Sequence, residues 1–333
     1  MKQKTLFIFF ILLIIGLLAS GCGIGKNGTN VKTKSTGTDG IVINYMQQNP
    51  QDKYLIGTTS EPISVIVEVR NRGTWPQRDT PDSLYDSVLN DLDKGKVYLS
   101  GFDSRIIQFE PYYLDLNKEF LPGLGLVNPD GGFWTAEFKG LIVATDLIVD
   151  SYDPTILATA CFPYITRASP SVCVDPAPFD INRKKVCKIG TTTLTSQGAP
   201  IAVTKIEQQA SQTKTQFKIT IKNVGKGEVL LPEKLEACDP RTSTSSRLER
   251  RDFDKVEVYR VSLGTTELLC GPYMDGRFIQ IYNGEGFVIC SMDSREYDMT
   301  QDAYMTPLNI ELRYAYRTTI TKQIKIQKLS GIN

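Results

Sequence analysis

An alternation of apolar and polar residues with a period of two is the feature that most limits what this chain can fold into. It is clearest in PISVIVEVRN, residues 62–71, where every second residue from Ile63 to Val69 is apolar and β-branched. Successive side chains of a strand point to opposite faces, and β-branched residues pack well on a pleated surface. The segment therefore predicts a strand with one buried face.

Similar segments recur along the chain, with turn residues between them. Many short strands separated by turns favour β-sandwiches over a parallel α/β sheet. Only residues 81–95 have helical spacing, with Leu84, Val88 and Leu92 on one side, and they predict a short helix or an irregular insertion. The further predicted strands are 41–46, 96–102, 132–143, 155–166, 200–208, 215–225, 254–264, 278–282, 286–292, 307–317 and 321–329.

The N-terminus has the layout of a secretory signal. Lys2 and Lys4 precede an apolar run at residues 6–18, and small residues follow it. The run is shorter than the ~20 residues that span a bilayer comfortably. Three interpretations stay open, namely a cleaved lipoprotein, an uncleaved signal anchor and simple secretion. All three export residues 30–333.

The residues after the apolar run carry a more specific signal. Ala19-Ser20-Gly21-Cys22 resembles the lipobox of prokaryotic lipoproteins, in which cleavage exposes a cysteine that is then acylated. The lipobox prefers Leu where this chain has Ala19. The resemblance implies a signal peptide at 1–22 and lipidation at Cys22. Residues 23–39 are rich in Gly, Ser, Thr, Asn and Lys and predict a flexible tether, so the membrane is an expected partner.

Six cysteines remain when Cys22 is set aside, and an even number in an oxidising compartment suggests three disulfides. Six cysteines allow fifteen connectivities. Local pattern supports two pairs, because one closes strands around the Asn283-Gly284 hairpin signal and another brackets an irregular loop. The third pair is what remains. The predicted pairs are Cys270–Cys290, Cys173–Cys187 and Cys161–Cys238.

Composition argues against several classes of function. The chain has no histidine, which removes the commonest general base and the commonest metal ligand. No cysteine pair has the CxxC spacing of a zinc or redox site, so we predict no metal, no cofactor and no catalytic residue. Lys plus Arg is 38 and Asp plus Glu is 37, and this balance gives no reason to expect nucleic acid.

Three segments have the composition of a ligand site, and in each the structural interpretation is preferred. The acidic cluster fits no EF-hand spacing, and the basic loop has charges of both signs. The glycine-rich segment 121–132 lacks the Lys-Ser/Thr of a phosphate loop, so we expect a turn. The acidic residues are Asp293, Glu296, Asp298 and Asp302, and the basic ones are Arg247, Arg250, Arg251 and Lys255.

Two tryptophans lie in or after predicted strands. Aromatic side chains on a sandwich usually belong to the core, and this is the expectation for Trp134. Trp75 follows a strand-ending turn beside Pro76 and Arg78. The core is the expectation for Trp75 too, and an exposed contact with a sugar or a protein partner is the alternative that stays open.

A weak internal repeat links the two halves of the chain. ISVIVEVRNRGTWP and FKITIKNVGKGEVL each read as an alternating strand that ends in Asn, with Gly shortly after it. The chain must turn sharply there, and Asn and Gly tolerate positive φ. The pattern resembles CARDB-like and related immunoglobulin-like modules of prokaryotic, including archaeal, envelope proteins. That resemblance implies a sandwich and an exported location, and it implies no reaction.

Together these features predict an all-β protein of two immunoglobulin-like β-sandwich domains, at 40–176 and 192–329, joined by a linker at 177–191. Absence of catalytic and metal motifs favours a non-catalytic, membrane-tethered binding or scaffold protein of the cell envelope that contacts a protein or glycan. Two alternatives stay open. One is a structural subunit of a surface filament or layer, and the other is a carboxylate-based hydrolase acting on envelope polymers.

Overall fold

The computed structural model describes residues 36–76, 94–117, 121–126, 128–143, 149–211, 213–242, 247–274, 276–293 and 302–329. Several predictions lie outside these residues. They are the signal peptide or anchor at 1–22 with Cys22, most of the tether at 23–39, and most of the helix at 81–95. In the described part of the chain, no helix is long and apolar enough to cross a bilayer.

The predicted all-β class is confirmed, because the described residues form strands and contain no α-helix. Single-turn 3-10 helices that lie wholly within the described residues are found at Pro232–Lys234, Glu236–Cys238 and Arg250–Asp252. The strands are β1 Ile41–Tyr45, β2 Lys53–Ile56, β3 Glu61–Asn71, β4 Lys96–Ser100, β5 Ile107–Phe109, β6 Tyr113–Asp115, β7 Phe133–Ile142, β8 Ser151–Tyr152, β9 Thr155–Ala168, β10 Ser171–Val174, β11 Thr191–Thr193, β12 Ile201–Ala210, β13 Lys214–Asn223, β14 Glu228–Leu230, β15 Lys255–Leu263, β16 Thr266–Glu267, β17 Leu269–Gly271, β18 Phe278–Gln280, β19 Glu285–Asp293, β20 Tyr304–Gln323 and β21 Lys325–Lys328.

These strands form several sheets. One sheet has the order β1-β3-β7-β5, and a second has the order β11-β12-β13-β19-β17. A third, central sheet has the order β16-β15-β20-β9-β4-β6. In addition, β10 and β14 pair with β20, and β18 pairs with β15. A small sheet, β2-β21-β8, completes the set among the described residues. The orders β1-β3-β7-β5 and β12-β13-β19-β17 are the same arrangement used twice.

Alternating sequence explains the burial of the strands. In β3 every second residue from Ile63 to Asn71 is buried, and the residues between them are partly exposed. Side chains from the inner faces of the first, second and central sheets join one hydrophobic cluster, to which Val67, Phe162 and Ile219 belong. Burial of such aliphatic and aromatic side chains stabilises the fold by roughly 1.5–3 kcal/mol each.

The two longest strands form an antiparallel pair at the centre of the molecule. β9 and β20 pair without a register shift from Thr155 opposite Gln323 to Ala168 opposite Ile310. The pairings of β10 with β20 and of β21 with β8 continue the same register beyond both ends. At the midpoint of this long pair, Pro163 lies opposite Ala315.

The predicted strand–Asn–Gly repeat is a recurring hydrogen-bonded turn. The side-chain oxygen of Asn71 accepts from the Gly73 N–H at 3.1 Å and from the Tyr164 hydroxyl at 3.2 Å. The side-chain oxygen of Asn223 accepts from the Gly225 N–H at 3.2 Å and from the Tyr316 hydroxyl at 3.1 Å. Asparagine and tyrosine are 93 residues apart in both halves.

This recurrence relates the two halves by an approximate twofold axis. Asn223 lies 152 residues after Asn71 (223 minus 71), and Tyr316 follows Tyr164 by the same interval. Pro163 and Ala315 also differ by 152, and they are the residues that face each other at the centre of the β9–β20 pair. When equivalent residues of two antiparallel strands lie opposite each other, a half-turn about that point exchanges the strands.

The predicted domain boundary therefore separates two copies of one strand pattern, but it does not separate two sheets. The pairing of β9 with β20 crosses the predicted linker at 177–191 and joins residues of 40–176 and 192–329 in one central sheet. In this respect the structure differs from two sandwiches linked only by a connector. The immunoglobulin-like assignment of each half stays a prediction.

Three disulfides connect cysteines of the described residues, and they are the three pairs named from the sequence. Cys161 on β9 pairs with Cys238, which ties residues 231–242 to the face of the central sheet that lies opposite the main core. That segment covers a second, smaller cluster containing Tyr98, Leu235 and Ala315. Disulfides are typical of proteins that fold outside the reducing cytosol. The other pairs are Cys173–Cys187 and Cys270–Cys290.

Candidate functional site

A groove of about 460 Å³ runs beside β1, between this strand and β20. β1 is the last strand of its sheet, so one of its edges has no neighbouring strand there. Residues 38–44 form one wall, and Tyr316, Thr318 and Ile320 of β20 form the other. The turn Gly225–Gly227 closes one end. We call this cavity the β1 groove.

Main-chain groups of β1 point into the groove. The Arg72 N–H donates to the Gly40 carbonyl, and the Met46 N–H donates to the Ile66 carbonyl. In an antiparallel pair the residues bonded to the neighbour alternate with residues whose N–H and C=O point away from it. Ile41 and Ile43 therefore direct their N–H and C=O groups away from β3 and toward the groove.

These groups have no hydrogen-bond partner in the described part of the chain, although Ile41 is 2% exposed and Ile43 is 4% exposed. Buried main-chain groups are almost always paired, and an unpaired one costs about 1–3 kcal/mol. The Lys226 N–H at the closed end of the groove is likewise without a partner among the described residues. The groove thus offers several donors and acceptors to an occupant.

The corresponding edge in the other half shows what can satisfy such groups. The Val224 N–H donates to the Pro200 carbonyl as the Arg72 N–H donates to that of Gly40, which makes β12 the counterpart of β1 with an offset of 160 residues (200 minus 40). Ile201 and Val203 are then the counterparts of Ile41 and Ile43.

Each outward group of the β12 edge has a partner. The Gln197 side-chain amide both accepts from the Val203 N–H and donates to the Val203 carbonyl, each at 2.9 Å. The Ile201 N–H donates to the Tyr314 hydroxyl at 3.4 Å, and the Thr166 hydroxyl donates to the Ile201 carbonyl at 2.6 Å. The short strand β11 pairs with the same edge further along.

Sequence differences explain three of the four missing bonds, those of the Ile43 N–H and C=O and of the Ile41 N–H, whereas Thr318 has the position of Thr166 and the Ile41 carbonyl still has no partner among the described residues. Gly37 has the position of Gln197, so the amide is missing. Phe162 has the position of Tyr314, and a phenylalanine ring has no hydroxyl to accept from Ile41. The chain before β1 also runs elsewhere, because the Gly37 N–H donates to Ser196 Oγ and its carbonyl accepts from the Gly198 N–H.

The two edges also differ in charge. Arg72 and Lys226 line the β1 groove, whereas the neutral residues Val224 and Thr74 have the corresponding positions in the other half. Asp39 adds one acidic side chain to the groove. The β1 groove is therefore a polar variant of a place that the other half fills with its own chain.

Tyr316 fixes one wall of the groove. Its hydroxyl accepts from the Gly227 N–H at 2.8 Å and donates to Asn223. Burial raises the pKa of Tyr316 to about 12, although these two hydrogen bonds act in the opposite direction. The phenol therefore stays neutral and keeps its role as donor and acceptor throughout the physiological pH range.

The candidate contact residue from the sequence is not on the surface. The alternative that Trp75 makes an exposed contact with a partner is wrong, because the residue is 5% exposed. Its ring packs edge-on against Tyr164 with 5.4 Å between centroids, and its carbonyl accepts from the Asn71 side chain at 2.8 Å. The turn after β3 folds inward here. Trp134 packs against the core from β7.

The other segments that sequence reasoning weighed are separate from the groove. Glu296 and Asp298 lie outside the described residues, while Asp293 ends β19 and Asp302 precedes β20. In the polar loop, Arg251 pairs with Glu249 at 2.9 Å, and Arg250 lies 3.9 Å from Asp254. Arg247 contacts the Thr242 carbonyl at 3.4 Å, and Lys255 begins β15. Gly131 has φ +73° in a turn, as expected for the glycine-rich segment.

Sequence reasoning missed the groove, although one signal for it was present. Aligning the two halves on Asn71-x-Gly73 and Asn223-x-Gly225 identifies the equivalent turns. It does not show that Gln197 folds back over its own strand while Gly37 does not. Gly37 and Gln197 become equivalent only when the strands before the turns are aligned with an offset of 160 residues. The turns themselves align with an offset of 152 residues. Among the described residues no cluster of three or more Cys, Asp or Glu could hold a metal ion.

Comparisons with known proteins give little further information. No family model matches the chain, and no curated protein matches it. Solved structures similar to it include the C-terminal domain of the antigen I/II-family protein AspA of Streptococcus pyogenes, with 8% identity, a TM-score of 0.16 and coverage of 87% of this chain and 100% of that one. The C-terminal domain of the AgI/II polypeptide BspA of Streptococcus agalactiae has 7% identity, a TM-score of 0.15 and coverage of 86% and 98%. Likenesses at these TM-scores carry no argument about fold or function.

Proposed function

We propose that this chain is a non-catalytic binding or scaffold protein of the cell envelope, exported and held at the membrane by its N-terminus, and that it binds a protein partner in the β1 groove. The apolar run at 6–18 and the lipobox-like residues up to Cys22 support export and anchoring. Three disulfides among the described cysteines support an oxidising compartment.

One observation carries the binding proposal. The β1 groove presents unpartnered main-chain groups of Ile41, Ile43 and Lys226, and the equivalent groups in the other half are covered by the protein's own chain. A strand edge with unpaired main-chain groups is a common site for association with a partner polypeptide. The structural-subunit alternative uses the same physics, with a second copy of the chain as partner.

Site-specific photocrosslinking in the native envelope tests this function. A photoreactive residue at Asn44, which is exposed and lines the groove, should give a discrete adduct with another protein. The matched control is Lys205, which lies opposite Thr220 as Asn44 lies opposite Glu68, on an edge that β11 already covers. Equal adducts from both positions, or none from Asn44, would count against the groove as a binding site.

The mass of the adduct separates the two versions of the proposal. An adduct of two different chains identifies a binding protein, and an adduct of twice the mass of this chain identifies the structural subunit of a filament or layer. Static light scattering of the purified protein over a range of concentrations gives an independent reading. Growth beyond a dimer supports the structural subunit, and a monomer throughout contradicts it.

A further inference from the structure

We infer that the occupant of the β1 groove is an extended polypeptide segment that places a side-chain amide of glutamine or asparagine against the backbone of Ile43. This inference rests on the proposed function and specifies the chemistry of the partner. It follows from a comparison of two equivalent places in one molecule, of which one is filled and one is open.

The filled place shows how an amide fits this edge. An amide side chain has one acceptor and two donors, so it can pair with the N–H and the C=O of one strand residue at the same time. Gln197 does this with Val203, at 2.9 Å for both bonds. Ile43 is the counterpart of Val203 and presents the same two groups in the same direction, with no partner in the described part of the chain.

The residue after the amide supplies a second contact. In the filled place the Gly198 carbonyl accepts from the Thr74 N–H at 2.7 Å. Lys226 is the counterpart of Thr74, and its N–H is without a partner among the described residues. A segment that puts its amide on Ile43 therefore brings its next main-chain carbonyl toward Lys226. Two adjacent residues of the occupant would satisfy three main-chain groups of the groove.

Other occupants satisfy fewer of these groups. A hydrocarbon chain would leave the N–H and C=O of Ile43 unpaired, and a carboxylate accepts but does not donate. Arg72 and Lys226 replace Val224 and Thr74, which adds two positive charges to the open groove without changing the main-chain groups of Ile43. A separate polypeptide is thus the occupant that the chemistry of the groove selects.

The probe is a labelled synthetic peptide with the sequence of residues 190–200, GTTTLTSQGAP, which is the segment that covers β12. Binding to the full-length protein is followed by fluorescence polarisation. The control peptide carries leucine in place of Gln197. The wild-type peptide should bind below about 1 mM, and the leucine peptide should bind at least about tenfold more weakly. Equal binding of the two peptides, or no binding, would overturn the inference.

Two protein variants locate the site. Thr318→Trp fills the groove from β20 and should abolish peptide binding, whereas Thr321→Trp, on the same strand at an exposed position outside the groove, should not change it. Should Thr318→Trp fail to fold, Lys226→Pro removes the backbone donor and should weaken binding. A peptide that binds Thr318→Trp normally has displaced the Gln197 loop from β12 instead, which contradicts the inference.

Three further outcomes would separate the inference about the amide from the proposed function. If the full chain binds peptide only after Val31→Pro and Thr33→Pro substitutions, the protein's own tether fills the groove and the inference is wrong. If Asn44 crosslinks to a partner but the leucine and wild-type peptides bind equally, the proposed function stands and the amide chemistry does not. If neither crosslinking nor peptide binding occurs, both fall.

Discussion

Single residues decide how each half closes its turn. Asn71 is fully buried, and its amide donates to the carbonyls of Trp75 at 2.8 Å and Leu121 at 2.9 Å. Asn223 uses the same geometry but is partly exposed, and its amide donates to the Gly227 carbonyl at 3.0 Å. The two asparagines therefore form equivalent hydrogen bonds at sites of different burial, and water can replace some of the hydrogen bonds that Asn223 makes.

The two asparagines form a matched pair for mutation. We expect Asn71→Ala to lower the free energy of unfolding by about 3 kcal/mol, because it leaves several buried groups without partners, and Asn223→Ala to lower it by about 1–2 kcal/mol. Urea denaturation monitored by tryptophan fluorescence measures both, with unchanged m-values as the sign that only stability has changed. Equal losses for the two variants would show that burial does not set the cost here.

Strands that carry their own pattern were predictable, and strands that depend on a distant partner were not. β3 and β13 each contain an alternating segment of six residues or more, and both were predicted to within two residues of their observed ends. β2 and β8 have four and two residues and exist because β21, from the far end of the chain, lies between them. So short a segment carries no period, and its partner cannot be read from neighbouring residues.

The β1 groove could not be predicted from the sequence for a related reason. The register of the β9–β20 pair determines that Phe162 is placed toward β1 and Tyr314 toward β12. No local pattern specifies that register. The N-x-G repeat was recognisable because its residues are close together in the chain, whereas the groove combines residues from three separate strands and turns.

The disulfides differ in the length of chain that each one closes. Cys161–Cys238 joins residues 77 apart, and Cys173–Cys187 joins residues 14 apart. In the loop-entropy model the longer loop contributes about 4 kcal/mol and the shorter about 3 kcal/mol. We expect the double variant Cys161→Ala/Cys238→Ala to have the lower free energy of unfolding of the two double alanine variants in urea denaturation.

Limited trypsin digestion gives a second measurement of the same pair. Cys238 holds residues 231–242 against the central sheet, and Arg241 lies among them, with further arginines at 247, 250 and 251. Cleavage in that segment should accelerate in Cys161→Ala/Cys238→Ala and stay slow in Cys173→Ala/Cys187→Ala. The same digestion rate in both variants would mean that packing, rather than the disulfide, holds the segment in place.

For the molecule as a whole, the β9–β20 pair is what makes the two halves interdependent. Each half contributes one long strand to the central sheet, and one edge of that strand pairs with the long strand of the other half. β9 alone would be an edge strand of 14 residues with unpaired main-chain groups along its length. Long unprotected edges associate with other strands.

A fragment of residues 40–176 tests this interdependence. Because Pro163 lies at the centre of the pairing, two copies of β9 can pair antiparallel about the same point, and the fragment should dimerise. Size-exclusion chromatography with light scattering measures its mass. A monomeric, folded fragment would show that each half is complete without the other.

The half-turn that exchanges Asn71 with Asn223 and Tyr164 with Tyr316 is the arrangement expected when a gene for a self-associating subunit duplicates and its products become one chain. Once the two copies are joined in one chain, their sequences no longer have to be identical. One half could then keep the glutamine that covers its edge strand while the other half lost it, and such a divergence leaves the two edges of a symmetric ancestor with different main-chain partners.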